Sequence, residues 1–250
     1  MQNYFTDTNV LIFSLAEFYK DKHLYSRKLI DNTDKKNARY LGFISYTIFN
    51  QFENKTNEKS INITAEKASA VLRTLSKRQK NNPAFKNRLL GLLDDLSDKN
   101  ECPKIYLTEI TDKISNGAKF DEGQIKKLIY GISYKFKKTK KEIKDKFIVF
   151  NKEDIKNNFK LHTNIQTALN AFFSDKDDIL HIAICSVFCL EKNIQNSTFI
   201  SDDDFQIPTK KQTEQEFITT SNNASFELEK SFKVLLKFSK LKKFVIDNNL

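Results

Sequence analysis

The sequence predicts an α/β fold built round a central parallel sheet, and three observations predict it. Short apolar runs of strand length, among them LGFIS, FIVF and STFIS, alternate with longer stretches whose apolar residues recur at helical spacing. Strand, helix, strand, helix in succession implies right-handed crossovers between parallel neighbours. A chain of 250 residues, 39% of them hydrophobic, is long enough for one sizeable α/β core or two small domains.

Taken in order, Asn3 to Asp7 reads as the first strand, leading into a mostly apolar helical stretch carried by Val10, Leu11, Ile12, Phe13, Leu15 and Phe18. Asp7 then falls where strand meets helix. Leu41 to Ser45 is the second strand, and Ser45 can cap a helix that opens at Tyr46 and runs to Asn54. Thr64 to Lys80 and Pro83 to Ser97 read as two helices, the second with its proline in the first turn. Lys104 to Ile110 reads as a strand or an extended link. Asp121 to Lys138 is a further helix, with Ile125, Leu128, Ile129 and Ile132 on one face. Phe147 to Phe150 resumes the sheet, helical segments fill Lys152 to Phe173, and Asp177 to Asn193 forms a largely buried helix. Ser197 to Ser201 is the next strand, ending in Asp202, Asp203 and Asp204. Thr209 to Asn223 reads as a polar linker and Phe226 to Val245 as a basic amphipathic helix. There is no internal repeat.

The charge is uneven in a useful way. Lys and Arg exceed Asp and Glu by 42 to 32, a net of +10 that favours anionic partners such as nucleic acid, although AT-rich codon usage gives the same surplus. Lys126 to Lys146 holds nine Lys against Glu142 and Asp145, a net of +7, with Tyr130, Tyr134 and Phe136 interleaved. Lys135, Lys137, Lys138, Lys140 and Lys141 are its candidate phosphate contacts and the aromatics its stacking groups; a solvated helix face with its aromatics in a core is the alternative. Cys102, Cys185 and Cys189 have neither disulfide-framework nor zinc spacing. The opening MQNYFTDTNV has no basic start followed by an apolar run, and no segment approaches the ~20 apolar residues of a membrane span, so a cytoplasmic location is expected.

In an open parallel sheet, ligands bind beyond the carboxyl ends of the strands. Asp7, Asp177 or Asp178, and Asp202 or Asp203 all belong to that edge or to a helix beside it. Carboxylates gathered without a neutralising Lys or Arg repel one another, which a hard cation such as Mg²⁺ or Mn²⁺ relieves. A cation so held polarises a phosphodiester and activates water, hydrolysing nucleic acid without a Ser or Cys nucleophile. Each acid also has a purely structural explanation: Asp7 as a helix cap, Asp178 as a first-turn acid, the triple Asp as a turn.

FTDTNVLI resembles the opening strand of the PIN-domain nucleases, DDILHIAIC their Asp-x-Leu-His-x-Ala helix, and FISDDDF their strand ending in Ser/Thr-x-Asp, in the family's order. FIVFNKEDI resembles the segment ahead of the third acid, so the resemblance covers roughly Asn3 to Glu58 and Phe147 to Phe205. It implies a PIN-like three-layer fold over residues 1–208 with a helical insertion at about 60–146; the linker and C-terminal basic helix read from composition and periodicity fill 209–250. It also implies a divalent-metal-dependent endoribonuclease using Mg²⁺ or Mn²⁺, of the kind found as toxins of toxin–antitoxin modules and in RNA processing or defence. Partners expected on this basis are RNA, with single-stranded DNA as an alternative substrate, an antitoxin protein, and a second copy of the chain in a homodimer.

Carried over residue by residue, Asp7 resembles the first metal ligand, Asn9 a residue that orients it, and Asp178 the helix acid three positions before His181. The Ser/Thr-x-Asp spacing from Ser201 selects Asp203, whereas alignment on Phe205 selects Asp202, and both stay open. ISYTIFNQFEN resembles the second strand and helix, but the expected acid, six residues after Ser45, is Gln51. Glu53 is the nearby carboxylate, about 200° further round the helix. The implied alternative is a catalytically impaired PIN-like domain that binds RNA or a protein partner. A third reading is an interaction module whose basic C-terminal helix docks on an acidic partner.

Overall fold

Strands form where apolar residues cluster between polar breaks. They are β1 (Gln2–Thr6), β2 (Tyr40–Ser45), β3 (Ile148–Phe150), β4 (Ser197–Ser201) and β5 (Leu236–Lys240). In the computed structural model, which describes residues 2–15, 19–35, 39–76, 104–115, 122–202 and 213–250 together with positions 87, 90–92 and 95, all five pair in parallel in the order β3-β2-β1-β4-β5. The predicted α/β class with a parallel sheet is therefore observed. The helices are α1 (Thr8–Phe13), α2 (Asp21–Asn32), α3 (Tyr46–Lys55), α4 (Glu58–Ser76), α5 (Lys104–Ser115), α6 (Glu122–Lys146), α7 (Leu161–Leu169), α8 (Lys176–Glu191), α9 (Glu214–Phe232) and α10 (Leu241–Asp247).

The chain divides into two units. The first comprises residues 1–14, 21–51 and 142–250 and carries the sheet; the second comprises 15–20 and 52–141 and is helical among its described residues. Parallel register in the first unit sets a row of phenylalanines across one sheet face, Phe43 beside Phe5, Phe5 beside Phe199, and Phe199 beside Phe238. Phe188 of α8 closes over this row, stacked on Phe150 at 3.9 Å and edge-on to Phe5 at 6.1 Å. The alternation of a strand sends Tyr4 to the opposite face, edge-on to Phe147 at 6.0 Å and 5.5 Å from Phe244 of α10. Its buried hydroxyl bonds Thr33. Helices thus flank both faces, as three layers require.

In the second unit, α4 buries Ile61, Thr64, Ala65, Ala68 and Ser69, the spacing of one helix face, and packs on α5, whose Leu107 and Ile110 are buried. The last turn of α6 belongs to the first unit, where Glu142 accepts two hydrogen bonds from Arg27 of α2 at 2.9 and 3.0 Å.

Three sequence expectations are corrected here. Lys104–Ile110 is helical, not a strand: Leu107 and Ile110 are one turn apart and both buried, and that burial outweighs the β-propensity of Ile, Tyr and Thr. The polar linker at Thr209–Asn223 is instead mostly α9, opened by a capping box in which Thr213 and Glu216 each bond the other's backbone N–H. The single basic helix at Phe226–Val245 is instead the end of α9, strand β5 and helix α10, with Lys233 in the left-handed conformation at the turn. The expected helix at Pro83–Ser97 lies almost wholly outside the described residues.

Candidate functional site

Strand order fixes where a ligand would be met. The chain steps outward from β1 to β2 to β3, then returns to the other side of β1 for β4 and β5. The order therefore reverses between β1 and β4, and the carboxyl ends of those two strands flank the crevice that such a switch opens. Asp7 follows β1 and Asp202 follows β4.

Asp7 extends the β1 ladder by one bond, its N–H donating to Ile200 O at 2.9 Å, and then turns the chain into α1 as its N-cap. The side chain is buried, with 4% of the residue exposed. Its Oδ1 accepts from Thr8 N at 2.5 Å, and its Oδ2 accepts from Asn9 Nδ2 at 2.7 Å and from Ser201 Oγ at 2.8 Å. Asn9 Nδ2 also donates to Ser201 Oγ at 3.0 Å, while its Oδ1 accepts from Asp202 N at 3.3 Å. Asp7 is thus the cap that was one of its two expected roles, and it is also bound across the switch to β4. Capping needs only Thr8. The bonds from Asn9 and Ser201 fix the carboxylate in one orientation beyond what the helix requires.

Gln51 of α3 reaches the same place, its Oε1 accepting from Thr8 Oγ1 at 2.5 Å. The neutral amide occupies the position where the resemblance expects an acid. Glu53 belongs to the second unit and is half-buried there. Asp202 forms an ion pair with Lys22 of α2, whose Nζ also lies 4.9 Å from the Phe13 ring centre. Asp203 lies outside the described residues.

Asp178 stands in the first turn of α8, which Asp175 caps by accepting from Asp177 N at 2.9 Å and from Asp178 N at 3.3 Å. One turn on, buried His181 meets Thr47 Oγ1 through Nδ1 at 3.0 Å, and Thr47 in turn meets Ser45 Oγ at the end of β2 at 2.9 Å. These bonds hold the start of α8 against the carboxyl edge of the sheet. Cys185, seven residues beyond Asp178 and on the same helix face, is pushed well up by burial, with Cys189 and Asp7 adding to the shift. Burial also pushes the Cys189 thiol up to about 12, so neither thiol is a ready nucleophile at neutral pH.

The oxygen-rich donor set, carboxylates with hydroxyls and amide oxygens, suits a hard divalent cation. Among the described residues, no three His, Cys, Asp or Glu side chains gather closely enough to hold one on their own. Sequence reasoning missed Ser201 as a direct partner of Asp7, Lys22 as the partner of Asp202, and Lys240, which sits beside Ser201 at the end of β5. The Ser-x-Asp spacing pointed to Ser201; nothing distinguished Lys22 within a lysine-rich chain.

The candidate lysines lie on α6 in the second unit. Lys135, Lys137, Lys138 and Lys141 are exposed and Lys140 is half-buried. Phe136 is fully buried, which corrects its expected stacking role, whereas Tyr130 and Tyr134 are 53% and 73% exposed. Among the described residues no helix is long and apolar enough to cross a membrane. The chain matches no family model, no curated protein and no solved structure, which leaves the chemistry of its own residues as the ground for a function.

Proposed function

We propose that the protein is a PIN-like, divalent-metal-dependent endoribonuclease that hydrolyses RNA phosphodiester bonds at the carboxyl edge of its sheet. The observation that carries the reading is Asp7, a buried carboxylate at the switch between β1 and β4, oriented by three donors when a helix cap needs one. Asp7, Asp178 and Asp202 or Asp203 would hold Mg²⁺ or Mn²⁺, which supplies a polarised phosphate and an activated water when bound. Asn9 and Ser201 orient Asp7, and Asn9 also holds the backbone of Asp202. Thr47 and His181 fix the turn of α8 that follows Asp178. A toxin of a toxin–antitoxin module, or an RNA-processing or defence enzyme, fits this chemistry.

Gln51 favours a second reading, a catalytically impaired PIN-like domain that binds RNA or a protein partner. An amide at that position contributes no negative charge to a cation site, and Lys22 already neutralises Asp202. Labelled single-stranded RNA incubated with the full chain in Mg²⁺, Mn²⁺ or EDTA separates the two. Cleavage that EDTA abolishes supports the nuclease; RNA binding without cleavage in either metal supports the impaired domain.

A further inference from the structure

Residues of α6 advance by about 100° each, so Lys127, Tyr130, Tyr134, Lys137, Lys138 and Lys141 fall within roughly 100° of one another round the helix. Buried Ile129, Phe136 and Thr139 mark the opposite side, and buried Ser133 lies on a flank. The stripe extends about 21 Å along the axis, and all four of its lysines are exposed. Tyr130 and Tyr134, one turn apart, are exposed in its middle, and Tyr134 at 73% is the more open of the two. A solvated helix face needs lysines but gains nothing from two exposed aromatic rings between them. Lys135 and Lys140 lie about 110° from the centre of the stripe, one on each flank.

We propose that this face of α6 binds single-stranded nucleic acid, its lysines following the phosphates and Tyr130 and Tyr134 stacking on unpaired bases. Duplex bases are already stacked and offer the rings no free face, so the occupant is single-stranded. Phosphate contact and stacking read no base identity, so recognition here is independent of sequence. The surface goes beyond the nuclease reading and does not depend on cleavage.

The test measures binding of a fluorescein-labelled mixed-sequence single-stranded RNA to the full chain in EDTA, with matched single-stranded DNA, duplex RNA and polyphosphate as further probes. Each variant is first shown to melt like wild type. Two pairs of substitutions remove equal charge: Lys138→Gln with Lys141→Gln on the stripe, and Lys135→Gln with Lys140→Gln off it. On a single strand each phosphate contact contributes about −0.7 to the log–log salt slope, so the on-stripe pair should flatten it by about 1.4 and the off-stripe pair by much less. Tyr134→Ala should weaken binding by about fivefold or more, while Tyr134→Phe keeps the ring and the affinity. Single-stranded DNA binding comparably would extend the surface to both nucleic acids; RNA alone would assign it to RNA. Equal effects of the two lysine pairs, an unaltered affinity in Tyr134→Ala, or equal binding of duplex or polyphosphate would overturn the proposal.

Discussion

Asp7 carries two roles that pull in the same direction. As the N-cap of α1 it fixes a short helix, and as the acceptor for Ser201 it ties β1 to β4 beyond their last ladder bond. Gln51 shows the same economy: its Oε1 fills the acceptor role toward Thr8 that a carboxylate would also fill. Replacement by Glu should therefore keep the Thr8 contact and add one negative charge beside Asp7. For the nuclease reading, Gln51→Glu is expected to tighten Mg²⁺ or Mn²⁺ binding, measured calorimetrically, with the melting temperature in EDTA lowered or unchanged. If Glu53→Gln abolishes metal binding while Gln51→Glu leaves it unaltered, the operative acid is on the other side of α3.

Two glycines give opposite expectations at the scale of the element. A Cβ on Gly42 of β2 would lie 2.6 and 2.7 Å from ring atoms of buried Phe147 and 2.9 Å from Thr33 Cγ2. Phe147 packs on Tyr4 and has little room to yield, so Gly42→Ala should destabilise the first unit by about 1–3 kcal/mol in urea unfolding. Gly131 of α6 has nothing within 4 Å of its Cβ position, so Gly131→Ala should stabilise the helix by about 0.8–1 kcal/mol. The same signs for both would mean that local packing is not what separates them. Most elements were legible because a strand next to an apolar helix leaves a clear pattern, as at β1 with α1 and at α8 with β4. The C-terminal elements were harder to see. Lys233 adopts the left-handed turn where glycine is the usual signal, so the usual stop between the helix and β5 is missing. Two signals did exist there, the Thr213-x-x-Glu216 capping box and the alternation of Leu236 and Phe238 with polar neighbours.

For the molecule as a whole, the C-terminal region is part of the core of the sheet-bearing unit rather than an appendage. Val234, Leu236, Leu241, Phe244 and Val245 are all buried. At roughly 1.5–3 kcal/mol each, their removal costs roughly 8–15 kcal/mol, about the whole stability of an ordinary domain. Deletion of residues 234–250 should abolish cooperative thermal unfolding of the first unit, followed by circular dichroism; a cooperative melt close to that of the full chain would contradict this architecture. The site itself was only partly legible. Asp7, Asp178 and the Asp202/Asp203 pair follow from strand ends and resemblance, but the bonds that Ser201 makes with Asp7 and Asn9 depend on β1 and β4 being neighbours, which no local pattern encodes. The central claim is that Asp7 and Asp178 serve one metal-dependent reaction at that edge. Its most direct measurement is Mg²⁺- or Mn²⁺-dependent cleavage of labelled single-stranded RNA by wild type, Asp7→Asn and Asp178→Asn, with a mock purification excluding contaminating nuclease and melting curves confirming that each variant folds. The account predicts cleavage by wild type that EDTA removes and that both folded variants lack; undiminished cleavage by both variants would contradict it.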